Sequence, residues 1–551
     1  MRKLVVPVEL SEQLNVDGFN SFVDYFDHQL AKYPFKPAFT SLGVTFTFRE
    51  VDRYSRAFTS YIQNHTNLEP GDRIALQMPN ILHYPIAIYG AMRAGLVIVN
   101  TNPLYTPQEM LYQFKDSGAK AIVIFSGMAS KLESIIDQTD IEEIFLVRLG
   151  DFMPSLKGRL VNFVAKYLKK MEPEFNLPRA RQFLDILSIG DEMPVKQVDH
   201  HLNHLLCLQY TGGTTGVPKG AMLTQGNLLA NSLQGHERLS RSDQAWSDKV
   251  ISPLPLYHIY AFTVSQIVAS NGGHSLLVPN PRDLKSLTKL FKAGDVTTFI
   301  GLNTLFVALS RLPAFRALDF SSLKLTLSGG MALTHAATEA WADITGLKIV
   351  EAYGLTEASP AISADRPEDP IGGTIGTPLF DTQIAVRDDD NRTLPVGESG
   401  ELWVKGPQVM AGYWQRPEAT QEVMDDDGWL RTGDIGYCDD AGFFHVIDRA
   451  KDLIIVSGFN VYPNEVEDQI TDHPELIEAA VIGIPDERTG EQVIAFVTGT
   501  NNRPPEEEVI AWLRERLAAY KLPRRIIYRR HLPKTPVGKV LRRALRDELL
   551  L

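Results

Sequence analysis

The chain has few cysteines, no long apolar run and no excess of basic residues. Its 551 residues include only Cys207 and Cys438, far apart in sequence, which excludes a disulfide framework and a four-cysteine zinc site and fits a reducing compartment. It contains no run of about 18 uninterrupted apolar residues, so no membrane-spanning helix is predicted. The formal net charge is -12, from 55 Lys+Arg against 67 Asp+Glu, which disfavours a nucleic-acid partner.

The rest of the composition is that of an ordinary globular protein, with 44% hydrophobic and 22% charged residues. The first residues, MRKLVVPVELSEQLN, have too short an apolar run for a signal peptide. We therefore expect a cytoplasmic protein, and any membrane contact would be peripheral, on the cytoplasmic face.

Short β-rich runs alternate with helical stretches along most of the chain. Near-continuous apolar strands separated by helices predict parallel sheets covered on both faces, which is an α/β fold. The predicted elements of this region are strands at 73–78, 97–99, 121–125 and 144–147 and a helix at 84–93.

After residue 449 the pattern becomes that of a compact α+β unit of about 100 residues, a length that can fold as its own domain. Turn-forming clusters at 425–428 and 439–442 precede the change. The predicted domains are residues 1–449 and 450–551. Within the second, we predict strands at 453–456, 479–484 and 493–498 and helices at 464–473 and 505–517.

One segment contradicts the acidic average. Residues 156–171 have apolar side chains at helical spacing, five basic residues and no acidic one. Two interpretations stay open. The segment is either an amphipathic helix packed on the core or a peripheral helix that docks on an anionic membrane.

Residues 210–220, YTGGTTGVPKG, combine four glycines, hydroxyl side chains and Lys219. Glycines let backbone N–H groups approach an anion closely, and hydroxyls and a lysine add donors around it. The run lies between a predicted strand at 205–208 and a predicted helix at 227–233. It is therefore suited to holding a polyphosphate, although it is not a Walker A motif.

This run resembles the phosphate loop of the acyl-adenylate-forming superfamily, which includes acyl-CoA synthetases, adenylation domains of peptide synthetases and beetle luciferases. Further motifs of that superfamily follow in the expected order: YGLTE at 353–357, WLRTGD at 429–434, DRAKD at 448–452 and PKTPVGK at 533–539. The resemblance covers essentially the whole chain. It implies a large N-terminal lobe of parallel and mixed sheets with helices, followed by a small α+β C-terminal domain.

The resemblance also implies an ATP site. Tyr353 would stack on adenine, Asp434 would accept hydrogen bonds from the ribose, and Arg449 would contact ribose or phosphate. Glu357 and Thr211 would be the protein ligands of Mg²⁺. The implied ATP- and AMP-binding residues are Thr211, Gly212, Gly213, Thr214, Thr215, Gly216, Lys219, Gly330, Glu351, Ala352, Tyr353, Gly354, Thr356, Asp434 and Arg449.

A two-step reaction follows from the resemblance. Lys539 would stabilise charge while a carboxylate attacks the α-phosphorus of ATP, with Glu357 also at the catalytic centre. Lys451 would be the hinge about which the small domain turns. Ser457, Gly458 and Phe459 would then contact coenzyme A, the co-substrate of the second step.

The acyl substrate is less closely defined. His258 lies in an apolar, aromatic segment and resembles the family histidine near the acyl carbonyl, although a lone histidine in such a segment is often structural. Phe262 and Asn303 would line the acyl pocket, although Phe262 could equally be a core residue. The runs at 100–107 and 456–465 are especially close to bacterial long-chain fatty acyl-CoA synthetases, so we expect a fatty acid–CoA ligase.

Other interpretations remain open: a medium-chain or aryl acid–CoA ligase, an acyl-AMP ligase that loads a carrier protein, and a non-catalytic relative. The expected partners are fatty acid and coenzyme A, with no nucleic acid. Contact with the inner membrane surface is left open, and the oligomeric state is monomer or homodimer.

Overall fold

The computed structural model describes residues 18–211, 217–239, 249–535 and 538–550. The described strands are β1 Pro37–Ser41, β2 Val44–Thr47, β3 Arg73–Gln77, β4 Val97–Asn100, β5 Ala119–Phe125, β6 Glu143–Val147, β7 Ala180–Gln182, β8 Leu205–Thr211, β9 Lys219–Thr224, β10 Lys249–Ser252, β11 His274–Leu277, β12 Thr298–Gly301, β13 Leu325–Gly329, β14 Val350–Gly354, β15 Ala361–Ala364, β16 Thr377–Pro378, β17 Gln383–Arg387, β18 Gly400–Lys405, β19 Leu430–Cys438, β20 Phe444–Arg449, β21 Ile454–Val456, β22 Phe459–Val461, β23 Leu476–Asp486, β24 Gly490–Gly499 and β25 Arg525–Tyr528.

The described α-helices are α1 Phe22–Lys32, α2 Phe48–His65, α3 His83–Arg93, α4 Pro107–Ser117, α5 Ala129–Glu133, α6 Ser155–Phe163, α7 Phe183–Gly190, α8 Gln225–Leu239, α9 Ile259–Ser270, α10 Leu284–Lys292, α11 Asn303–Ser310, α12 Pro313–Arg316, α13 His335–Thr345, α14 Pro417–Gln421, α15 Pro463–Thr471, α16 Glu506–Arg514 and α17 Arg542–Leu550. None of these helices is long and apolar enough to cross a bilayer.

A seven-stranded sheet in the order β7-β6-β5-β3-β4-β8-β9 forms the first half of the large lobe. Its strands are parallel except for the antiparallel β8–β9 hairpin. The strands β3, β4 and β5 are almost wholly buried, which explains their unbroken apolar sequence. The predicted α/β class and the predicted parallel strands are confirmed here.

A nine-stranded sheet in the order β16-β15-β14-β13-β12-β10-β11-β1-β2 forms the second half. Its centre is parallel, whereas β1–β2 at one edge and β14–β15–β16 at the other are antiparallel. The fully buried Trp341 of α13 packs among Phe299 and Phe306 on one face. The carboxyl ends of β13 and β14 carry several of the residues discussed below.

A four-stranded antiparallel sheet, β17-β18-β19-β20, completes the large lobe. The turn cluster at 425–428 leads into β19, and the cluster at 439–442 joins β19 to β20, where Gly442 N–H donates to the Asp439 carbonyl. The first cluster therefore lies between α14 and β19, and the second is a turn between neighbouring strands of this sheet. A 3₁₀ turn, Ala450–Asp452, links β20 to the small domain.

The small domain contains a sheet in the order β22-β21-β24-β23, with β25 added in parallel to β24. Its core lies between that sheet and the helices α15 and α16, around Ile454, Val466, Val493 and Leu513. The predicted α+β unit is confirmed, and each predicted strand and helix overlaps an observed one.

The segment 156–171 is helical, as predicted, but its apolar side is not packed on the core. α6 continues into a five-residue π-type segment, Val164–Leu168, and the buried residues of the two elements are Gly158 and Ala165. The interpretation as an ordinary core-packed amphipathic helix is therefore wrong, because it is the small side chains that face the protein.

Candidate active site

The Asp434 carboxylate, in the middle of β19 in the four-stranded sheet, contacts two other predicted nucleotide residues. Asp434 of β19 lies opposite Arg449 of β20 in the strand register, and its Oδ1 is 3.1 Å from Arg449 Nε. Asp434 Oδ2 accepts a hydrogen bond from the Tyr353 hydroxyl at 2.5 Å. Asp434 is 5% exposed, so this cluster fixes the Tyr353 ring at the carboxyl end of β14.

Glycines define the backbone around this tyrosine. A Cβ on Gly354 would lie 1.9 Å from the Pro360 carbonyl oxygen, so only glycine fits at this irregularity between β14 and β15. Gly330 follows β13 with φ +84°, a left-handed conformation that favours glycine. Both residues lie at the same edge of the nine-stranded sheet.

Glu351 and Ala352 occupy the middle of β14, opposite Ser328 and Gly329 of β13. The Glu351 carboxylate accepts a hydrogen bond from Gly373 N–H at 3.4 Å. Burial raises the pKa of Glu351 to about 8, and the nearby Asp365 and Asp468 act in the same direction.

The described ends of the predicted phosphate loop are paired. Thr211 ends β8 and lies opposite Lys219, which begins β9. The predicted residues Gly212, Gly213, Thr214, Thr215 and Gly216 lie outside the described residues. The hairpin therefore places a hydroxyl and a lysine side by side at the two ends of the loop.

Glu357 lies beside this hairpin. It belongs to a 3₁₀ turn, Thr356–Ala358, that packs against β9 and against β8, the strand that ends at Thr211. Its Oε1 accepts a hydrogen bond from the Tyr413 hydroxyl at 2.7 Å. The Tyr413 ring in turn lies 5.1 Å from Lys219 Nζ, within cation–π range.

The donor set near Glu357 fits Mg²⁺. This ion is hard, prefers oxygen ligands, and keeps several waters while sharing phosphate oxygens, so one carboxylate and one hydroxyl suffice. Over the described part of the chain no group of three or more His, Cys, Asp or Glu side chains is placed to hold a metal. Glu357 and Thr211 are therefore the residues of this site that could hold the ion.

Lys539 enters the site from the small domain. Its ammonium lies within electrostatic range of Asp434 and Glu357 and of the cations Arg449 and Lys451. Burial and the charge of Arg449 lower the pKa of Lys539 to about 8, against the opposing effect of Asp434. The preceding Gly538, with φ +89°, approaches the large lobe so closely that a Cβ there would lie 3.0 Å from Thr304 Oγ1.

His258 caps the N-terminus of α9. Its Nδ1 accepts a hydrogen bond from Tyr260 N–H at 3.3 Å, which assigns the imidazole proton to Nε2. Burial lowers the pKa of His258 to about 4, and the nearby Lys539 charge adds to this effect. His258 is therefore a neutral side chain whose Nε2–H can donate.

The predicted acyl-pocket residues have different surroundings. Phe262 is fully buried one turn into α9, where it packs in the main core of the large lobe. Asn303 starts α11, and its Oδ1 accepts hydrogen bonds from the backbone and hydroxyl of Thr334 at 3.1 and 3.3 Å. In this structure Asn303 thus ties α11 to the start of α13.

The predicted coenzyme A residues form the turn between β21 and β22. Ser457 and Gly458 have φ +53° and +83°, as a two-residue hairpin turn requires. The Ser457 N–H donates to the Thr489 carbonyl, and the exposed Phe459 ring stacks on Tyr520 at 5.0 Å. These contacts lie within the small domain.

The predicted hinge residue Lys451 lies in the 3₁₀ turn after β20. Burial lowers its pKa to about 8, and the charge of Arg449 acts in the same direction. The structure thus brings Tyr353, Asp434, Arg449, Lys451 and Lys539 together from two domains.

Sequence reasoning missed residues that hold this site in place. Tyr413 contacts both Glu357 and Lys219, and Asp116 accepts hydrogen bonds from Tyr210 at 2.7 Å and from Arg416 at 2.5 Å. The one sequence feature that could have indicated Tyr413 is the aromatic pair Tyr413–Trp414, which follows Gly412 in a stretch without regular periodicity. Their partners are distant in sequence, so no local pattern indicated the contacts.

A large α/β lobe followed by a smaller α+β domain is the architecture of adenylate-forming enzymes. Residues 26–414 match the AMP-binding enzyme family, and residues 465–539 match the AMP-binding enzyme C-terminal domain. The chain belongs to the AMP-binding enzyme family.

Relatives and solved structures agree with this assignment. A long-chain-fatty-acid–CoA ligase of Escherichia coli O157:H7 is 45% identical over 544 residues, 98% of this chain and 97% of the relative. The ligase of the same name from Bacillus subtilis is 36% identical and covers 94% of this chain and 92% of its own. ATP-bound MatB from Rhodopseudomonas palustris superposes with a TM-score of 0.83 at 27% identity, covering 96% of this chain and 99% of that one.

Proposed function

We propose that the chain is an ATP-dependent long-chain fatty acid–CoA ligase. The observation that most supports this is the position of Lys539 of the small domain, which lies within electrostatic range of Asp434, Arg449 and Glu357, the proposed nucleotide residues of the large lobe. The full-length relatives at 45% identity are long-chain-fatty-acid–CoA ligases, which supports the same reaction for this chain.

Nucleotide binding uses the groups gathered at the sheet edge. The Tyr353 ring presents a flat face for adenine, while Asp434 accepts hydrogen bonds from the ribose hydroxyls. Lys219 and the glycine-rich run before it bind the phosphates. Bound Mg²⁺, held by Glu357 and Thr211, would neutralise phosphate charge.

In the first step the fatty acid carboxylate oxygen attacks the α-phosphorus of ATP. The bond from that phosphorus to the bridging oxygen breaks, and pyrophosphate leaves with the electron pair. Protonated Lys539 stabilises the charge that develops on the α-phosphoryl oxygens. The neutral His258 donates its Nε2–H to an acyl oxygen and so orients the carboxylate without adding a full charge.

In the second step the thiolate of coenzyme A attacks the acyl carbon, the bond to AMP breaks, and acyl-CoA and AMP are released. We propose that residues 450–551 turn relative to residues 1–449 about Lys451 between the steps, which withdraws Lys539. The hairpin turn at Ser457, Gly458 and Phe459 then faces the coenzyme A arm. Gly458 has open space around the position of a Cβ, which leaves room for that arm.

The chain length of the acid is the finer part of this proposal. Phe262 at the base of α9 and Asn303 at the start of α11 are the proposed acyl-pocket residues. Medium-chain or aryl acids, or a carrier protein in place of coenzyme A, are the alternatives. AMP release should be measured with coenzyme A and acids of graded length, and a maximum at aryl or medium-chain acids would contradict the proposal.

A variant of the lysine tests the first step. Lys539→Ala should lower the rate of acyl-AMP formation by about a hundredfold or more, as loss of one transition-state donor does, yet keep the conversion of supplied acyl-AMP and coenzyme A to thioester. The matched control is Arg543→Ala, which removes an exposed cation of the same basic stretch. Normal adenylation by Lys539→Ala would overturn the assigned role.

Long-chain acids partition into lipid, so we also propose that the enzyme collects them at the cytoplasmic membrane face as a peripheral protein. Monomer and homodimer are both compatible with this proposal.

A further inference from the structure

In α6 and the π-type segment after it, the small residues lie against the protein and large apolar side chains are exposed to solvent. One side of the helix lies against the protein. It carries Gly158 and Ala165, which are buried, and Asn162, which is half-buried, at spacings of four and three residues. The opposite side consists of large apolar residues that are exposed to solvent. Their exposed fractions are Leu156 82%, Leu160 61%, Phe163 54%, Tyr167 59%, Leu168 70% and Met171 44%.

Close backbone contacts hold this helix in place. A Cβ on Gly158 would lie 2.3 Å from the Gly150 carbonyl oxygen, so the two glycines allow the backbones to touch. The Gly150 N–H donates to Asn162 Oδ1 at 2.8 Å, and the Met171 N–H donates to the Ala165 carbonyl at 2.8 Å. The orientation of the apolar side toward solvent is thus fixed by contacts on the other side.

The charges of this surface have one sign. Lys157, Arg159, Lys166, Lys169 and Lys170 are the ionisable side chains of residues 155–171 apart from Tyr167, and no acidic residue lies among them. The acidic residue that flanks each end of the segment most closely is paired within the protein, and the next acid, Glu174, is exposed. Asp151 pairs with His83 at 3.1 Å, and Glu172 pairs with Arg148 at 3.2 Å.

We propose that residues 155–171 form a docking surface for an anionic lipid bilayer. Apolar side chains would enter the boundary between headgroups and acyl chains, while the lysines and the arginine would contact lipid phosphates. Charge complementarity favours this occupant over a second copy of the chain, because a two-fold interface would bring the same cationic patch against itself. The proposal deepens the proposed function, because it gives the surface at which lipid-dissolved acids would be collected.

Vesicle binding without any substrate tests the surface independently of catalysis. The full-length protein should co-sediment with vesicles of phosphatidylglycerol and phosphatidylcholine in equal amounts, and less with phosphatidylcholine alone. Binding should weaken at high salt, because exposed charges are screened. A charge variant, Lys166→Gln/Lys169→Gln/Lys170→Gln, should lose about fivefold in partition per lysine, the change expected for one lysine near an anionic surface.

An apolar variant, Leu160→Gln/Phe163→Gln/Leu168→Gln, should also lose binding, because insertion of these side chains supplies the apolar part of the contact. The matched control is Lys285→Gln/Lys289→Gln/Lys292→Gln, which removes three exposed lysines from α10. Binding that is unchanged in both surface variants, or lost equally in the control, would overturn the proposal.

Two further measurements separate the remaining outcomes. Sedimentation without lipid should give the same mass for the parent and the apolar variant. A dimer that becomes a monomer in that variant, with no vesicle binding by the parent, would make this surface a self-association site and overturn the proposal. Unchanged thioester formation from supplied acyl-AMP would verify that the variants are folded, whatever the acid specificity proves to be.

Discussion

A single tyrosine side chain links Lys219, the proposed phosphate-binding lysine, to Glu357, the proposed metal ligand. The Tyr413 hydroxyl donates to Glu357 Oε1 at 2.7 Å, and the face of its ring lies 5.1 Å from Lys219 Nζ. Burial raises the pKa of the Tyr413 phenol, with the Glu357 charge adding to the effect, so the hydroxyl keeps its proton and remains a donor. Tyr413 is therefore a positioning residue for both groups.

Replacement of this hydroxyl tests that role. Tyr413→Phe keeps the ring beside Lys219 but removes the hydrogen bond to Glu357. A hydrogen bond to a charged group contributes about 1.5–3 kcal/mol, so we expect the Mg²⁺ concentration for half-maximal adenylation to rise by roughly tenfold. A Mg²⁺ titration of AMP-forming activity measures this change.

The control for the tyrosine variant is Tyr528→Phe, which removes a hydroxyl that donates to the Pro504 carbonyl within the small domain. It should leave the Mg²⁺ dependence unaltered. If both variants lower the unfolding temperature alike and neither changes the Mg²⁺ requirement, Tyr413 is only a packing residue.

At the scale of single residues, the sequence allowed prediction of site residues that lie within a contiguous motif. Tyr353, Asp434 and Lys539 each lie in such a run, and the structure places the three around one site. Tyr413 was missed because its contact with Glu357 spans 56 residues and joins two irregular segments. Contacts of this kind depend on the sheet order, which no local pattern encodes.

At the scale of elements, α4 clamps the hairpin that holds the phosphate loop. Asp116 near the end of α4 accepts hydrogen bonds from the Tyr210 hydroxyl at 2.7 Å and from Arg416 Nη2 at 2.5 Å. The Tyr112 hydroxyl, one turn earlier, donates to the Pro218 carbonyl at 2.8 Å. One helix thus fixes a residue on each side of the loop.

Loss of the carboxylate should loosen this clamp. Asp116→Ala removes the ion pair with the part-exposed Arg416 and leaves the buried Tyr210 hydroxyl without its acceptor, at a cost of about 1–3 kcal/mol for the buried hydroxyl. We expect the KM for ATP in adenylation to rise by roughly tenfold, because Tyr210, at one end of the loop, is then held less firmly. Steady-state kinetics of AMP formation at varied ATP checks this expectation.

The second half-reaction serves as the control for the Asp116 variant. The conversion of supplied acyl-AMP to thioester does not require binding of the pyrophosphate part of ATP. The rate of this step should therefore be nearly unchanged in Asp116→Ala. Asp137→Ala, at an exposed position of the same sheet region, should leave both reactions as they are. An equal fall in both half-reactions would mean that Asp116 acts through general stability.

Periodicity predicted the elements better than it predicted their faces. The prediction of a helix at 156–171 was correct, but the pattern did not indicate which side of it contacts the protein. Gly158 and Ala165 form that side because small residues allow close approach, and they add little apolar area to the pattern. The turn clusters at 425–428 and 439–442 were also recognised, yet the first leads from α14 into β19 and the second joins β19 to β20. Local turn chemistry does not distinguish a hairpin from a domain boundary.

At the scale of the whole molecule, the two domains meet in the orientation that places Lys539 near Asp434, Arg449 and Glu357, the proposed nucleotide residues. Gly538 lies against Thr304, and His335 Nδ1 of α13 is 3.8 Å from Asp472 Oδ1 of the small domain. Within the small domain, Arg542 binds Glu467 with two nitrogens and so fixes α17, which directly follows the Lys539 loop. The sequence could indicate two domains but not this orientation, which depends on contacts between distant surfaces.

Lys451 separates this orientation from the one proposed for thioester formation. Proline fixes φ near −65°, so Lys451→Pro restricts the backbone of the 3₁₀ turn, and we expect it to impair thioester formation more than adenylation. A turn about this residue requires a different φ, and a proline that no longer fits costs more than about 1 kcal/mol. Thioester formation from supplied acyl-AMP should therefore fall by roughly tenfold.

Lys451→Ala removes the same ammonium but leaves the backbone free, so it should retain thioester formation. If the alanine variant loses that step as severely as the proline variant, the side chain rather than the rotation is required, and the hinge must be placed elsewhere in residues 450–452.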